Sequence, residues 1–436
     1  MIQRLITRII IVGTMWIGLS LLKWEALSTQ LLWQALVFTA IVLLGSLMEQ
    51  IFHYQGDPYI LPVVQAIMAI GLVFVVRINQ ALPDLPVNRN ISLHQFWWAN
   101  IGLVVFYAIL WGMHDYRKLG RLRYLWGLLA VGLLLVTLLF GSTSGGAKSW
   151  LNLGGITLQP EEFVKLALLL FMATYLEQNE QLLRVGTVQW GKFSLPDWRT
   201  LGPFMIMVAF ILGILAAQKS LGTALVFYML FVLMLYAVTE RALYLGISIP
   251  IFLLTGTVGY MLFRHVRVRV MAWMNPWQDP TGGAYQIAQS LFAIGGGKIL
   301  GTGLGNGIGA STVPVAISDF VFSVIAEELG FAGAMAVLVL FLIVVMRAFA
   351  VSLRVKDRFG QILAAGIGIL LGTETLIILA GVTKLLPLTG ITLPWVSYGG
   401  SSIIVHFILL GVLLNISNAT AVSSHSIKNK GRECAT

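Results

Sequence analysis

Length, composition and charge place this chain among integral membrane proteins. It has 436 residues, of which 58% are apolar and only 11% are charged, whereas an average soluble domain has roughly 25% charged residues. Soluble enzymes and nucleic-acid-binding proteins are therefore excluded, and the formal net charge of +10 is explained by the Lys and Arg that collect in cytoplasmic loops of membrane proteins.

Twelve apolar stretches along the chain are long enough to cross about 30 Å of hydrocarbon. The first begins after Arg4 and Arg8, and it is predicted to be a retained anchor because no small-residue cleavage site precedes Lys23. The predicted spans are 6–22, 31–48, 59–76, 96–113, 122–140, 162–176, 201–217, 221–238, 243–263, 321–346, 362–383 and 401–418.

An even number of spans places both termini on one side of the membrane. If that side is the cytoplasm, 17 Lys and Arg residues lie inside and ten outside, with Lys165 inside a helix. The positive-inside rule therefore predicts cytoplasmic termini. The cluster Arg264 to Arg269 opposes this orientation, but it opens the longest loop, and long loops follow the rule poorly.

The chain is predicted to form a single membrane domain, 1–436, without internal repeats. Three longer segments rich in Gly, Pro and polar residues, 141–160, 264–318 and 384–400, all fall on the predicted outer face, and such loops usually carry function. The segment 264–318 is predicted to be a large extracytoplasmic loop, and 419–436 a cytoplasmic tail. The only cysteine, Cys434, lies in this tail, which excludes a disulfide framework and a cysteine metal cluster.

Ionisable side chains in predicted spans require an explanation, because each costs at least ~2.5 kcal/mol at the bilayer centre. Glu162 and Lys165 are three residues apart, which places them on one helix face within pairing distance. Either a structural ion pair or a functional site explains them. The other candidates are Glu161, Lys219, Asp319, Glu327, Glu328 and Glu374.

Asp319 lies at the start of the predicted tenth span and has two interpretations. Its carboxylate could cap the following helix, or it could be a partly desolvated general base that takes a proton from a hydroxyl nucleophile. Glu327 and Glu328 follow about two turns later, and they are predicted to form hydrogen bonds across the bundle or to face a water-filled cavity.

Two glycine-rich segments also invite interpretation. The run from Gly295 to Gly307 is not a phosphate-binding P-loop, because Ile299 follows Lys298 and no strand precedes it. It could form a nest of N–H groups for an anion or a mobile loop. The segment Ser397 to Ser402 favours close helix packing, and His406 after it is either a proton relay or a packed, hydrogen-bonded side chain.

Four sequence blocks together resemble the SEDS family (shape, elongation, division and sporulation), which includes RodA-, FtsW- and SpoVE-like proteins of bacteria. The resemblance covers residues 122–418, with the blocks in the family's order. The blocks are Gly146 to Trp150 with Gln159 to Lys165; Asn275 to Trp277 with Tyr285, Gln286, Gln289, Ser290 and Gly301 to Gly305; Pro314 with Asp319 to Gly330; and Leu386 to Gly390 with Leu393, Pro394 and Ser397 to Ser402.

This resemblance implies an all-α polytopic membrane protein with about 12 transmembrane helices. The ten-helix catalytic core would occupy 122–418, and 1–121 would contain a two-helix N-terminal extension. Such proteins are multi-pass peptidoglycan glycosyltransferases of the bacterial cytoplasmic membrane that polymerise lipid II. The implied partners are lipid II, the growing lipid-linked glycan strand, membrane lipid and a class B penicillin-binding protein, and no nucleic acid.

The resemblance also implies roles for individual residues. Asp319 matches the essential loop aspartate and would deprotonate the GlcNAc 4-hydroxyl of incoming lipid II during an inverting displacement at C1 of the lipid-linked MurNAc. Glu327 and Glu328 would be structural or relay groups, and a divalent cation such as Mg²⁺ could offset the pyrophosphate charge. Residues predicted to bind substrate or pyrophosphate are Lys148, Trp150, Glu162, Lys165, Gln286, Ser397, Ser401 and Ser402.

Two departures from the family pattern stand out. Glu161 replaces the usual Ser of Gln-Pro-Ser-Glu, and Ser220 stands where an Asp often precedes Leu-Gly-Thr. Two other functions remain open, a flippase or transporter of lipid-linked precursors and a non-enzymatic scaffold for a penicillin-binding protein. The shared motifs do not distinguish elongation, division and sporulation proteins.

Overall fold

The chain folds as a set of apolar α-helices joined by short helices and small sheets. The computed structural model describes residues 2–22, 27–82, 90–144, 146–154, 156–185, 188–190, 193–195 and 198–433, so Cys434 lies outside the described residues. The α-helices are α1 Ile2–Leu21, α2 Thr29–Ile51, α3 Ile60–Ala81, α4 Ile91–Gly112, α5 Arg123–Phe140, α6 Pro160–Val185, α7 Trp198–Ala217, α8 Leu221–Thr239, α9 Ala242–Leu262, α10 Arg264–Met274, α11 Tyr285–Gly296, α12 Gly309–Thr312, α13 Val321–Glu328, α14 Gly330–Arg354, α15 Arg358–Val382 and α16 Gly400–Glu433. A 3₁₀ helix, Tyr116–Leu122, precedes α5. The strands are β1 Ser142–Ser144, β2 Ala147–Leu153, β3 Ile156–Leu158, β4 Val188–Trp190 and β5 Phe193–Leu195.

The predicted fold class, an all-α polytopic membrane protein, is confirmed. Among the described residues, 11 helices are long and apolar enough to cross a membrane. The remaining predicted span, 162–176, lies within α6, a helix that carries Glu161, Glu162 and Lys165 at its start and further polar residues at its end. Because its ends are polar, α6 is not one of the 11 helices that are long and apolar enough to cross a membrane.

The prediction of one continuous span over 321–346 is wrong. The chain forms α13, which ends at Glu328, and then α14, which begins at Gly330. Gly330 has a φ of +69°, which a residue with a side chain rarely adopts. A Cβ on Gly330 would also lie 2.2 Å from the backbone nitrogen of Gly301. The break therefore arises where the glycine-rich segment presses against the end of α13.

The long predicted loops contain regular structure. Segment 141–160 holds an antiparallel sheet of order β1-β2-β3, in which Thr143 pairs with Lys148 and Asn152 with Thr157. Segment 264–318 holds α10, α11 and α12. Segment 384–400, by contrast, has no helix or strand before Gly400, where α16 begins.

The chain divides into two compact units, which we describe separately. The first comprises 1–113, 264–347 and 374–436, and the second 114–263 and 348–373. In the first unit α16 packs along α4, and a Cβ on Gly102 would lie 2.4 Å from the Phe407 ring. In the second unit α6 packs against α5 and α8, with β2 next to α5 and α6. These contacts position the polar residues described next.

Candidate functional site

Asp319 lies in the first unit, just before α13. Its Oδ1 accepts a hydrogen bond of 2.8 Å from Ser318 Oγ, and its backbone N–H donates to Val315 O at 3.1 Å. The cap interpretation of Asp319 is wrong, because Phe320 occupies the N-cap position of α13 and no side chain caps that helix. The Asp319 carboxylate therefore does not cap α13.

Burial raises the pKa of Asp319 above its ordinary value of 3.8, and this effect exceeds the opposing effects of the Ser318 hydrogen bond and the Arg269 charge. Burial also lowers the pKa of Arg269, although the Asp319 charge partly offsets this. A carboxylate with a raised pKa is a stronger base once it is ionised. The environment of Asp319 therefore favours proton transfer.

Segment 389–402, which lies between α15 and α16 and includes the first turn of α16, approaches the Asp319 carboxylate at Gly390. Arg269 Nη1 donates to Thr389 O at 3.2 Å, and a Cβ on Gly390 would lie 3.4 Å from Asp319 Oδ2 and 3.8 Å from Arg269 Nη2. Ser397 Oγ donates to Ser318 O. The predicted residues Asp319 and Ser397 are therefore brought together, and Arg269 joins them from α10.

Glu327 and Glu328 bind the glycine-rich segment. Glu327 accepts hydrogen bonds from the N–H groups of Ile308 (3.0 Å) and Gly309 (2.8 Å). Glu328 Oε2 accepts one from Gly305 N–H at 2.9 Å, and its Oε1 accepts one from Arg77 Nε at 2.8 Å. Within the run from Gly295 to Gly307, the Gly305 N–H group is thus bound to one of the protein's own carboxylates rather than to an external anion.

A second polar cluster surrounds the first turn of α6 in the second unit. Lys165 Nζ lies 2.8 Å from Glu162 Oε2, and both side chains are almost completely buried. Glu161 Oε2 accepts hydrogen bonds of 2.7 Å from both Ser220 Oγ and Thr223 Oγ1. The two positions that depart from the family pattern, 161 and 220, are therefore in direct contact.

Lys148 and Trp150 lie on β2 of the second unit. Lys148 Nζ donates to Leu138 O at 2.7 Å and to Leu139 O at 3.1 Å. These are carbonyls of the last turn of α5, where a cation is favoured by the helix dipole. Trp150 is half-buried, and its backbone oxygen accepts a hydrogen bond from Ser142 Oγ at 3.1 Å. In this structure Lys148 stabilises a helix end, and its role towards a pyrophosphate stays a prediction.

The other predicted substrate-binding residues are spread over the first unit. Gln286 is exposed on α11, and Ser401 is half-buried in the first turn of α16. Ser402 is buried beside His406, whose Nδ1 lies 2.7 Å from Ser402 O and 3.2 Å from Ser402 Oγ. His406 is thus a packed, hydrogen-bonded side chain.

Two arginines of the site were not among the predicted site residues. Arg269 belongs to the cluster that opposes the predicted orientation, and Arg77 is one of the ten basic residues predicted to lie outside. Arg77 forms an ion pair of 2.8 Å with Glu328, and the charge of Arg269 acts on Asp319. Each arginine is distant in sequence from its partner. In the sequence, the clustering of Arg264, Arg267 and Arg269 at the start of a long loop is the signal that points to Arg269.

The described side chains do not by themselves provide a site for a divalent cation. Within the part of the chain that the structure describes, no group of three or more His, Cys, Asp and Glu could hold a metal ion. Asp319 lies beside an arginine, and Glu327 and Glu328 accept backbone hydrogen bonds. These carboxylates do not form a metal site on their own.

Comparison with known proteins identifies the family. The sequence profile described as "Cell cycle protein", which covers FtsW, RodA and SpoVE, matches residues 58–422. The chain belongs to the FtsW/RodA/SpoVE family. This match includes Asp319, the α6 cluster and segment 389–402, and it confirms the resemblance seen in the sequence.

Curated members of the FtsW/RodA/SpoVE family align over most of this chain. The peptidoglycan glycosyltransferase RodA of Mycobacterium tuberculosis is 38% identical over 371 residues, which cover 84% of this chain and 79% of the relative. The RodA of Mycobacterium leprae is 34% identical over 385 residues, 88% of this chain and 82% of the relative. A probable peptidoglycan glycosyltransferase FtsW of Geobacter sulfurreducens is 38% identical over 281 residues, 64% of this chain and 72% of the relative.

Two solved structures are similar to this fold. A chain from a peptidoglycan synthase complex, described as coordinating polymerization and crosslinking, has a TM-score of 0.67 and 29% identity over 84% of this chain and 98% of that chain. The rod shape determining protein RodA of Thermus thermophilus has a TM-score of 0.58 and 27% identity over 83% of this chain and 97% of that chain. The protein is therefore an integral membrane protein with the fold of this family.

Proposed function

We propose that this protein is a peptidoglycan glycosyltransferase that polymerises lipid II into glycan strands. The observation that carries the proposal is the half-buried Asp319 carboxylate, which lies near the Arg269 charge and next to Gly390 of segment 389–402. Burial holds its pKa above the ordinary range. Its position in a member of a family whose curated relatives are peptidoglycan glycosyltransferases supports a role as the catalytic base.

The proposed reaction is a single displacement. Asp319 accepts the proton of the GlcNAc 4-hydroxyl of incoming lipid II while the hydroxyl oxygen forms a bond to C1 of the lipid-linked MurNAc. The bond between C1 and the pyrophosphate oxygen breaks, and the undecaprenyl pyrophosphate leaves with the electron pair. A single displacement inverts the configuration at C1.

The leaving pyrophosphate carries concentrated negative charge, which fixed cations stabilise in the transition state. In the first unit Arg269 is the cation beside Asp319, and in the second unit Lys165 is held by Glu162. A divalent cation such as Mg²⁺ would supply further charge neutralisation. The phosphates of the substrate would help to bind this cation.

The topology and the partner also belong to this proposal. The excess of Lys and Arg on one side supports cytoplasmic termini in a bacterial inner membrane. The similar chain in a complex that coordinates polymerization and crosslinking supports a class B penicillin-binding protein as the partner. Segment 264–318 and the Asp319 site would then face outward, where the sugars of lipid II are.

The decisive experiment compares Asp319→Asn with wild type in glycan synthesis from purified lipid II. Asn keeps the size of the side chain but accepts no proton, so we expect synthesis to fall by about 10²-fold or more. Asp279→Asn is the matched control, because Asp279 is exposed and accepts a local hydrogen bond of 2.7 Å from Gly283 N–H. Near-normal polymer from Asp319→Asn would refute the assignment. Lipid translocation without polymerisation by wild type would support a flippase instead.

A further inference from the structure

A buried carboxylate and imidazole pair lies in the first unit beneath segment 389–402. Glu374 of α15 and His406 of α16 are 1% and 0% exposed, and His406 Nε2 lies 2.7 Å from Glu374 Oε2. Two ionisable groups inside membrane-spanning helices are expensive unless they are paired. The proposed reaction chemistry does not use either of them.

The donor and acceptor pattern shows that this pair holds a shared proton. Ser402 O only accepts, so His406 Nδ1 must carry a hydrogen to bond to it at 2.7 Å. A neutral imidazole with its hydrogen on Nδ1 has only a lone pair on Nε2. The 2.7 Å contact with Glu374 therefore needs a second proton, on Nε2 or on the carboxyl group. In either case the pair has no net charge, and a neutral pair is less unfavourable inside membrane-spanning helices than a single charge.

The pair supports segment 389–402 at two points. His406 contacts Ser402, and Ser402 Oγ accepts a hydrogen bond from Thr392 Oγ1 at 3.0 Å. The Trp395 ring packs edge-on against His406, with 5.5 Å between the ring centroids. Trp395 is buried, with 1% of its surface exposed. His406 thus contacts the segment at both Ser402 and Trp395.

The same segment contacts Asp319 on its other side. Ser397 Oγ donates to Ser318 O, and Tyr398 N–H donates to Ile317 O at 2.9 Å. Gly390 lies against the Asp319 carboxylate. A continuous set of contacts therefore links His406 to the residues that hold Asp319.

We propose that Glu374 and His406 are positioning residues for Asp319, which they hold in place through segment 389–402. This inference rests on the proposed role of Asp319 as the base. Small displacements of a catalytic group are costly, since a misplacement of about 1 Å can reduce a rate by about 10²-fold. Loss of the pair therefore lowers the turnover number more than the affinity for lipid II.

The test uses the full-length protein in proteoliposomes with purified lipid II. His406→Phe keeps a ring against Trp395 but removes the hydrogen bonds of Nδ1 and Nε2. Glu374→Gln keeps a hydrogen-bonding partner for Nε2. Leu413→Ala is the matched control, because it removes a fully buried side chain of α16 two turns further along. We expect kcat to fall by about tenfold or more in His406→Phe with KM unchanged, and by less than about threefold in Glu374→Gln.

The outcomes separate this inference from the proposed function. If Asp319→Asn is inactive and His406→Phe has the same kcat as Leu413→Ala at an equal melting temperature, the positioning role is refuted and the base assignment stands. If Glu374→Gln is as impaired as His406→Phe, the role of the hydrogen bond is refuted. If Asp319→Asn retains synthesis, both the base and its positioning residues are refuted.

Discussion

The contact between Glu161 and Ser220 can be tested quantitatively by exchanging the carboxylate and the hydroxyl group between the two positions. We consider the variants Glu161→Ser, Ser220→Asp and the combination of both. In wild type, two hydroxyl groups donate to the Glu161 carboxylate at 2.7 Å. The combined variant places one carboxylate and one hydroxyl in the same contact, with the two positions reversed.

The expected energies follow from the geometry. Glu161→Ser removes two hydrogen bonds to a carboxylate, each contributing about 1.5 to 3 kcal/mol, although it also removes a buried charge. Ser220→Asp brings a second carboxylate against Glu161, and two like charges about 4 Å apart repel by about 4 kcal/mol at an effective dielectric constant of about 20. The combined variant has no such repulsion. We therefore expect a coupling energy of about 4 kcal/mol.

Thermal unfolding of the four proteins in detergent measures this coupling as a double-mutant cycle, and glycan synthesis provides a second readout. The control combines Ser220→Asp with Glu177→Ser. Glu177 lies 16 residues further along α6, about 24 Å away, so these two changes should be additive. A coupling energy below about 1 kcal/mol between positions 161 and 220 would refute the reasoning, because it would mean that the two side chains do not interact as the structure shows.

Two further predictions concern single side chains. Lys148→Met removes two hydrogen bonds to the last turn of α5, so we expect the free energy of unfolding to fall by about 1 to 2 kcal/mol. If glycan synthesis is lost while the melting temperature is unchanged, Lys148 instead contacts the substrate. For Asp319, the raised pKa means that the folded protein keeps the proton to a higher pH than the unfolded chain, whose value is near 3.8. The stability of wild type relative to Asp319→Asn should therefore fall as pH rises from about 3.8 to the raised folded pKa, and then stay constant. Melting temperatures of both proteins over this range measure the trend, and a rise in relative stability with pH would contradict it.

The long membrane-spanning helices could be predicted from the sequence because apolar length marks them, whereas α10, α11 and α12 lie in a segment predicted to be a loop. The break at Gly330 could not be predicted, since it depends on a positive φ and on contact with Gly301, which lies 29 residues earlier. The segment 141–160 appeared as a polar loop because three short strands leave too weak an alternation pattern to distinguish them from a loop. Composition therefore predicts spans and misses the local geometry between them.

In the candidate site, contacts between residues that are close in sequence could be predicted. Glu162 and Lys165 are three residues apart on one helix, so their ion pair could be anticipated. The contacts of Asp319 with segment 389–402, and of Glu161 with Ser220, join distant parts of the chain. Only the folded structure shows that the two departures from the family pattern touch each other.

The close approach of Gly301 and Gly330 determines how freely this region can be engineered. A Cβ on Gly301 would lie 2.6 Å from Gly330 N, and one on Gly330 would lie 2.2 Å from Gly301 N. A larger residue at either position cannot be accommodated by a change at the other, because both obstacles are backbone atoms. At Gly295, in the same run, a Cβ would meet no described atom within 4 Å apart from its chain neighbours and the nearby backbone of its own helix. A mutant library over this segment can therefore randomise Gly295, but it should keep Gly301 and Gly330 fixed together.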